Sequence, residues 1–200
     1  MSANARPDHT DPIKLVVIIG SVREGRFGLT VGKWFADQAA GRHDLSVDIV
    51  DLDETTLPLA MTKPTPGTAH ALADLSPRIE AADAFVVVTP EYNHSFPAAL
   101  KNAIDWHHAE WQAKPVGFVC YGGISGGLRA VEQLRLVFAE LHAVTIRDTV
   151  SFHNAWSQFD GQGQPVSPEG CNGAAKTLLD QLTWWSQALR EARTVRPYVA

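Results

Sequence analysis

The chain has only two cysteines, Cys120 and Cys171, in 200 residues, and no CxxC spacing. That scarcity excludes a disulfide framework and a cysteine-based zinc site, and it fits a cytoplasmic address. Long apolar runs are missing as well: Leu15 to Ile19 falls far short of the roughly 20 residues that cross a bilayer. Positive charge is not in excess. Seventeen Lys and Arg against 22 Asp and Glu leave a formal charge of −5. Phosphate backbones and anionic lipid surfaces find no general attraction there, so neither nucleic acid nor a membrane is an expected partner. Metal-ligand spacing is also lacking, since His107 and His108 are adjacent rather than one helical turn apart and His94 stands alone. Residues 1–11 carry no apolar segment or cleavage site and read as a flexible polar arm rather than a secretory signal.

What is present, 45% hydrophobic and 20% charged residues, describes a globular chain whose residues 12–200 suffice for one α/β domain. Ile13 to Ile19 and Ala84 to Val88 are nearly continuous β-branched or large apolar runs, the signature of parallel strands buried on both faces. Leu45, Val47 and Ile49 alternate with less apolar residues, which suits an edge strand. Val116 to Tyr121 and Ala143 to Val150 supply two more strands. Helical spacing appears at Val31, Trp34 and Phe35 up to Gly41, over His70 to Ala82, and at Leu100, Ala103 and Ile104. It returns from Leu128 to Leu141, and at Leu178, Leu179, Leu182 and Trp185. Ser95 is a candidate N-cap, with Pro97 near the first helical position. Asp51 to Ala69 holds Pro58, Pro64, Pro66 and Gly67 and reads as a long loop; Gln158 to Gly173 reads as a second polar connection. Five strands alternating with helices predict a three-layer α/β/α sandwich around a five-stranded parallel sheet. Ligands of such folds bind beyond the carboxyl ends of the strands, where strand order reverses.

Three loops should meet there. Gly20 to Gly28, with Ser21, Arg23 and Arg26, offers a hydroxyl, two guanidinium groups and the free N–H groups of a helix start, which suits a phosphate. The spacing of Gly20 and Gly25 imitates a nucleoside-triphosphate loop, but Arg26-Phe27 stand where Lys and Ser or Thr are required. Pro90-Glu91-Tyr92-Asn93-His94-Ser95 joins a restrained backbone to an aromatic face and amide groups, suited to a flat, polar-edged ring, although the same residues also make ordinary turns. Gly122-Gly123-Ile124-Ser125-Gly126-Gly127 lets a planar ligand approach the backbone. It also contains G-x-S-x-G, the nucleophile elbow of serine hydrolases. That alternative needs an acid and a histidine after Ser125, for which Asp148, Asp160, His142 and His153 are the candidates.

With these loops placed, the chain resembles the NAD(P)H-dependent FMN reductase family of flavodoxin-like proteins, which includes azoreductases, chromate reductases and quinone reductases. The likeness covers most of residues 13–150. It rests on Gly20-Ser21-x-Arg23-x-x-Arg26, on Pro90-Glu91-Tyr92-Asn93-His94-Ser95-x-Pro97 running into Leu100 to Trp106, and on the glycine loop. The resemblance implies sheet order 2-1-3-4-5, FMN as cofactor and NADPH or NADH as electron donor. Small-molecule acceptors (quinones, flavin, azo dyes or oxidised metal ions) and a homodimer or homotetramer are implied with them. It also implies that Ser21, Arg23 and Arg26, with Phe27 and Gly28, hold the FMN phosphate, that Pro90, Glu91, Tyr92 and Asn93 line the isoalloxazine, and that Gly122, Gly123 and Ser125 close around it. Many relatives carry Ser and Asn where this chain has Arg26 and Gly28. A flavodoxin-like electron carrier serving a protein partner is the alternative reading. Six tryptophans, among them the adjacent Trp184 and Trp185, exceed what one core-facing helix face uses and agree with an oligomer.

Overall fold

The computed structural model describes residues 11–61, 63 and 65–199. All of the polar arm read over residues 1–11 except Asp11, and Pro64 of the long loop, lie outside them. The elements are β1 (Ile13–Ile19), α1 (Gly28–Ala40), β2 (Leu45–Asp51), α2 (Pro66–Ala81), β3 (Ala84–Pro90), α3 (Ala98–Asp105), β4 (Pro115–Gly122), α4 (Leu128–Glu140), β5 (Val144–His153) and α5 (Pro168–Val195). The sheet runs β2-β1-β3-β4-β5 with every pair parallel, as the resemblance implies.

The period of two in a strand sorts the apolar runs into two cores. Leu15, Val17, Val86, Val88 and Val119 meet Trp34 and Phe35 of α1 and Leu178 and Leu182 of α5 on one face. Val16, Ile18, Phe85, Val87 and Phe118 meet Leu75 and Ile79 of α2, Leu100 of α3 and Phe138 of α4 on the other. Both faces of β1, β3 and β4 are therefore covered, which is why those segments read as unbroken apolar runs rather than alternating ones. In the edge strand β2, Ile49 is in phase with Leu45 and Val47 yet stays 41% exposed, while Val50 is fully buried.

Several boundaries differ from the sequence reading. Helix α2 starts four residues before His70, because Thr65 Oγ1 accepts a hydrogen bond from the Thr68 N–H and Pro66 needs no donor in a first turn. The long loop is shorter by that amount. Pro168 likewise opens α5, so the polar connection ends there instead of at Gly173. Strand β5 continues to His153. Ser95 does not cap α3: its hydroxyl donates to Gln133 of α4, and Pro97 occupies the cap position. Among the tryptophans, Trp111 belongs to the core, whereas Trp156, Trp184 and Trp185 are exposed.

At the amino-terminal edge of the sheet, Lys114 is buried with its ammonium group donating to the last carbonyls of α2, Ile79 O at 3.1 Å and Glu80 O at 2.7 Å. Burial is the main cause that lowers its pKa to about 8, with Arg193 adding to it and Asp83 opposing. Between about 8 and the ordinary lysine value of about 10.4 the unfolded chain binds more protons than the folded one, so stability rises with pH across that window. The stability of wild type relative to Lys114→Met is therefore expected to improve as pH rises from 8 to about 10 in paired urea titrations. A flat difference would show that Lys114 titrates as an exposed lysine does.

Candidate functional site

The loops after β1 and β3 leave adjacent strands for opposite faces of the sheet, β1 feeding α1 and β3 feeding α3. The crevice between them is the switch point of the topology. Strand register sets Ile19 beside Val88 and Pro90 beside Tyr121, so the three loops begin side by side.

In the first loop, Gly20 N–H is fixed to Val88 O at 2.9 Å, and the buried Ser21 hydroxyl lies 2.8 Å from the Tyr92 hydroxyl of the second loop. The exposed Arg23 guanidinium lies 4.5 Å from the centre of the Tyr92 ring. Arg26 is turned elsewhere. It donates to both carboxylate oxygens of Asp51 at 2.7 Å, to Asp53 at 3.1 Å and to the Ser21 carbonyl at 3.2 Å. Phe27 caps α1 and packs edge-on against Tyr121 and Phe159. Gly28 opens the helix at a close approach: a Cβ there would stand 2.6 Å from the Tyr121 hydroxyl. Tyr121 escaped the sequence reading because it is the strand residue opposite Pro90, yet its phenol points at the start of α1. Burial raises its pKa, so the phenol remains a neutral donor.

The second loop leaves the end of β3 at the buried Pro90 and closes through Tyr92 N–H to Ser95 O at 2.8 Å, with Asn93 and His94 at positive φ. The third leaves β4 at Gly122 and passes Gly123 and Ser125. It turns at Gly127, whose φ of 88° and near-contact with Tyr121 N leave no room for a side chain. Glu91 joins the two loops. Its carboxylate accepts from Ser125 Oγ at 2.6 Å and from Arg129 N–H at 3.3 Å in the first turn of α4, and pairs with Arg129 Nε at 3.0 Å. It thus takes the place of a side-chain cap that Gly127 cannot provide.

The serine-hydrolase alternative fails on this geometry. Ser125 faces a carboxylate, and the residues that a triad would need are engaged apart. His153 Nδ1–H donates to Ile124 O at 2.7 Å, His142 pairs with Tyr198, Asp148 accepts from Gln181, and Asp160 bonds its own turn. Two exposed apolar side chains that the sequence reading missed stand at the glycine loop: Ile124, and Trp156, whose ring lies 3.8 Å from where a Gly123 Cβ would be. Beside the first loop, a cleft of about 300 Å³ is lined by Val22, Asp53, Leu57, Ala99 and Asn102. Its outer wall is held by α3, where Asn102 Nδ2 donates to Leu57 O at 2.9 Å and Trp106 Nε1 to Pro58 O at 3.1 Å. Among the described residues there is no cluster of three or more metal-ligating side chains, and no helix is long and apolar enough to cross a membrane.

The chain is similar to known proteins in sequence and in fold. An NAD(P)H-dependent FMN reductase of Schizosaccharomyces pombe is 38% identical over 123 residues, which span 57% of this chain and 60% of that protein. An FMN-dependent NADPH-azoreductase of Staphylococcus haemolyticus is 30% identical across 85% of this chain and 93% of its own length. A quinone reductase of Escherichia coli is 31% identical across 68% and 75%. Among solved structures, the flavoenzyme NAD(P)H:(acceptor) oxidoreductase of Paracoccus denitrificans superposes with a TM-score of 0.68 at 23% identity, covering 88% of this chain and 98% of that one. The family model described as NADPH-dependent FMN reductase matches residues 13–157, a span that contains all five strands and all three loops and stops before α5. With that span matched, the chain belongs to the NADPH-dependent FMN reductase family of oxidoreductases.

Proposed function

We propose that the protein is an NAD(P)H-dependent FMN oxidoreductase that passes electrons to small acceptors such as quinones, free flavin, azo compounds or oxidised metal ions, in two half-reactions at one open site. The convergence of the three loops at the β1/β3 crevice carries this reading. The residues present fit a flavin mononucleotide. Arg23 and the N–H groups opening α1 suit a phosphate, the open backbone at Gly123 admits a close ligand, and the Tyr92 to Asn93 backbone suits a planar ring. When bound, FMN supplies the hydride-accepting and electron-passing chemistry. Ser21, Arg23 and Tyr121 hold its phosphate end, while Pro90 to Asn93 and Gly122, Gly123 and Ser125 line the ring. Backbone N–H groups at the ring's polar edge favour the negative charge that grows there on reduction. Glu91 contributes by fixing Ser125 and the start of α4 rather than by touching the reactants.

Ile124 and Trp156 beside the glycine loop favour flat, apolar acceptors. The exposed Trp184 and Trp185 on α5 support assembly as a homodimer or homotetramer, and two free thiols suit a cytoplasmic setting. Residues 12–200 act in this reading as one domain.

Purified protein saturated with FMN is expected to show a perturbed flavin visible spectrum and to oxidise NADPH with a quinone, giving parallel double-reciprocal lines. Converging lines would overturn the shared open face. A flavin-bound protein without NADPH oxidation would favour the electron carrier, and failure to bind FMN would overturn both.

A further inference from the structure

Arg26 sits in the loop that the flavin reading assigns to phosphate, yet its guanidinium is already committed. Of its five N–H groups, four have partners: two on Asp51, one on Asp53 and one on the Ser21 carbonyl. The pair with Asp51 is parallel and bidentate, with side chains only 11% and 9% exposed, so solvent screens it weakly. Turning Arg26 toward a ligand would strand the Asp51 carboxylate out of water, which is the costly way to break a buried ion pair. Asp51 is further held in place by the Asp53 N–H at 3.1 Å. One guanidinium and two carboxylates carry a net negative charge, so this cluster adds nothing to the attraction for a phosphate dianion. Arg23 differs on every count. It is exposed, it rests on the Tyr92 ring, and among the described residues it has no ion-pair partner within the distance that defines one.

Resting on the flavin reading above, we infer that Arg26 is a strut and not a phosphate ligand. Asp51 withholds its guanidinium, which braces the loop through the Ser21 carbonyl, and Arg23 is the loop's one cationic contact for the ligand's phosphate. Arg26 and Asp51 then brace the loop as a matched pair and leave the distinction between a phosphorylated and an unphosphorylated flavin to Arg23.

The ratio of riboflavin to FMN dissociation constants, read from quenching of flavin fluorescence, isolates the phosphate contribution. A fold defect lowers both affinities and leaves this ratio alone. Arg23→Ala is expected to reduce the ratio about tenfold or more, the loss of one charge-assisted contact. The pair Arg26→Met with Asp51→Asn, which leaves no buried charge unmatched, is expected to keep the ratio within about threefold of wild type. Asp51→Asn alone, which loosens Arg26, is expected to raise it. A tenfold fall in the ratio for the Arg26/Asp51 pair, or no rise for Asp51→Asn, would overturn the inference while leaving the flavin reading intact. A folded wild type that binds neither flavin would overturn the flavin reading, and this inference with it.

Discussion

Trp111→Ala is expected to lower the unfolding free energy by about 3–5 kcal/mol, the range for removing a large buried aromatic. The ring is 1% exposed, lies 4.6 Å from Phe85 and 5.4 Å from Phe138 between ring centres, and donates to Ile104 O and His107 O at 3.3 and 3.1 Å. Its removal opens a void between α3, β3 and α4 and leaves the His107 carbonyl without its indole donor, while Ile104 O keeps the His107 N–H at 3.2 Å. Trp111→Phe separates the two causes, because it restores most of the volume and none of the hydrogen bonding. Urea titration measures both, and a loss under about 1 kcal/mol for the alanine variant would contradict the packing described. Trp184→Ala, on an exposed ring, gives the small reference effect.

The second large effect is at Gly127. Alanine there must adopt φ near 88° and place its Cβ 2.7 Å from Cys120 Cβ and Tyr121 N, atoms that cannot swing aside. The left-handed conformation alone costs about 1–2 kcal/mol, and the overlap adds to it by pushing the glycine loop away from β4. Gly127→Ala is expected to lose stability and to weaken FMN binding about tenfold or more, since a flavin packed on that backbone feels shifts of a few tenths of an ångström. Gly161→Ala, outside the three loops, is the matched control: a Cβ there meets no atom within 4 Å. Equal behaviour of the two variants in flavin titrations and thermal melts would refute the strained turn.

The fold class was legible because burial on both faces leaves a plain mark, since β1 and β3 cannot be written without continuous apolar residues, whereas the strand order came from the family resemblance. Helix starts were harder. Pro66 and Pro168 are proline at a first turn, but in a sequence each sits among glycine, serine and threonine and looks like more loop. Of the site, the three loops could be found from their residues, since Ser, Arg, Asn and Gly cluster at strand ends. Their partnerships could not. Nothing in the spacing says that Arg26 answers to Asp51, 25 residues on, or that Glu91 seizes Ser125 across 34. Tyr121 was hidden by its position inside an apolar strand, where an aromatic residue ordinarily signals packing alone.

Helix α3 has one more consequence. Because Asn102 and Trp106 grip the backbone at Leu57 and Pro58, the chain up to that point is tied to the same rigid body that follows the second loop. Beyond it, Leu59 and Met61 are 80% and 58% exposed. Changes in length or sequence between Pro58 and Thr65 are therefore expected to leave the grip of Asn102 and Trp106 on Leu57 and Pro58 intact, and with it the wall of the cleft beside the first loop.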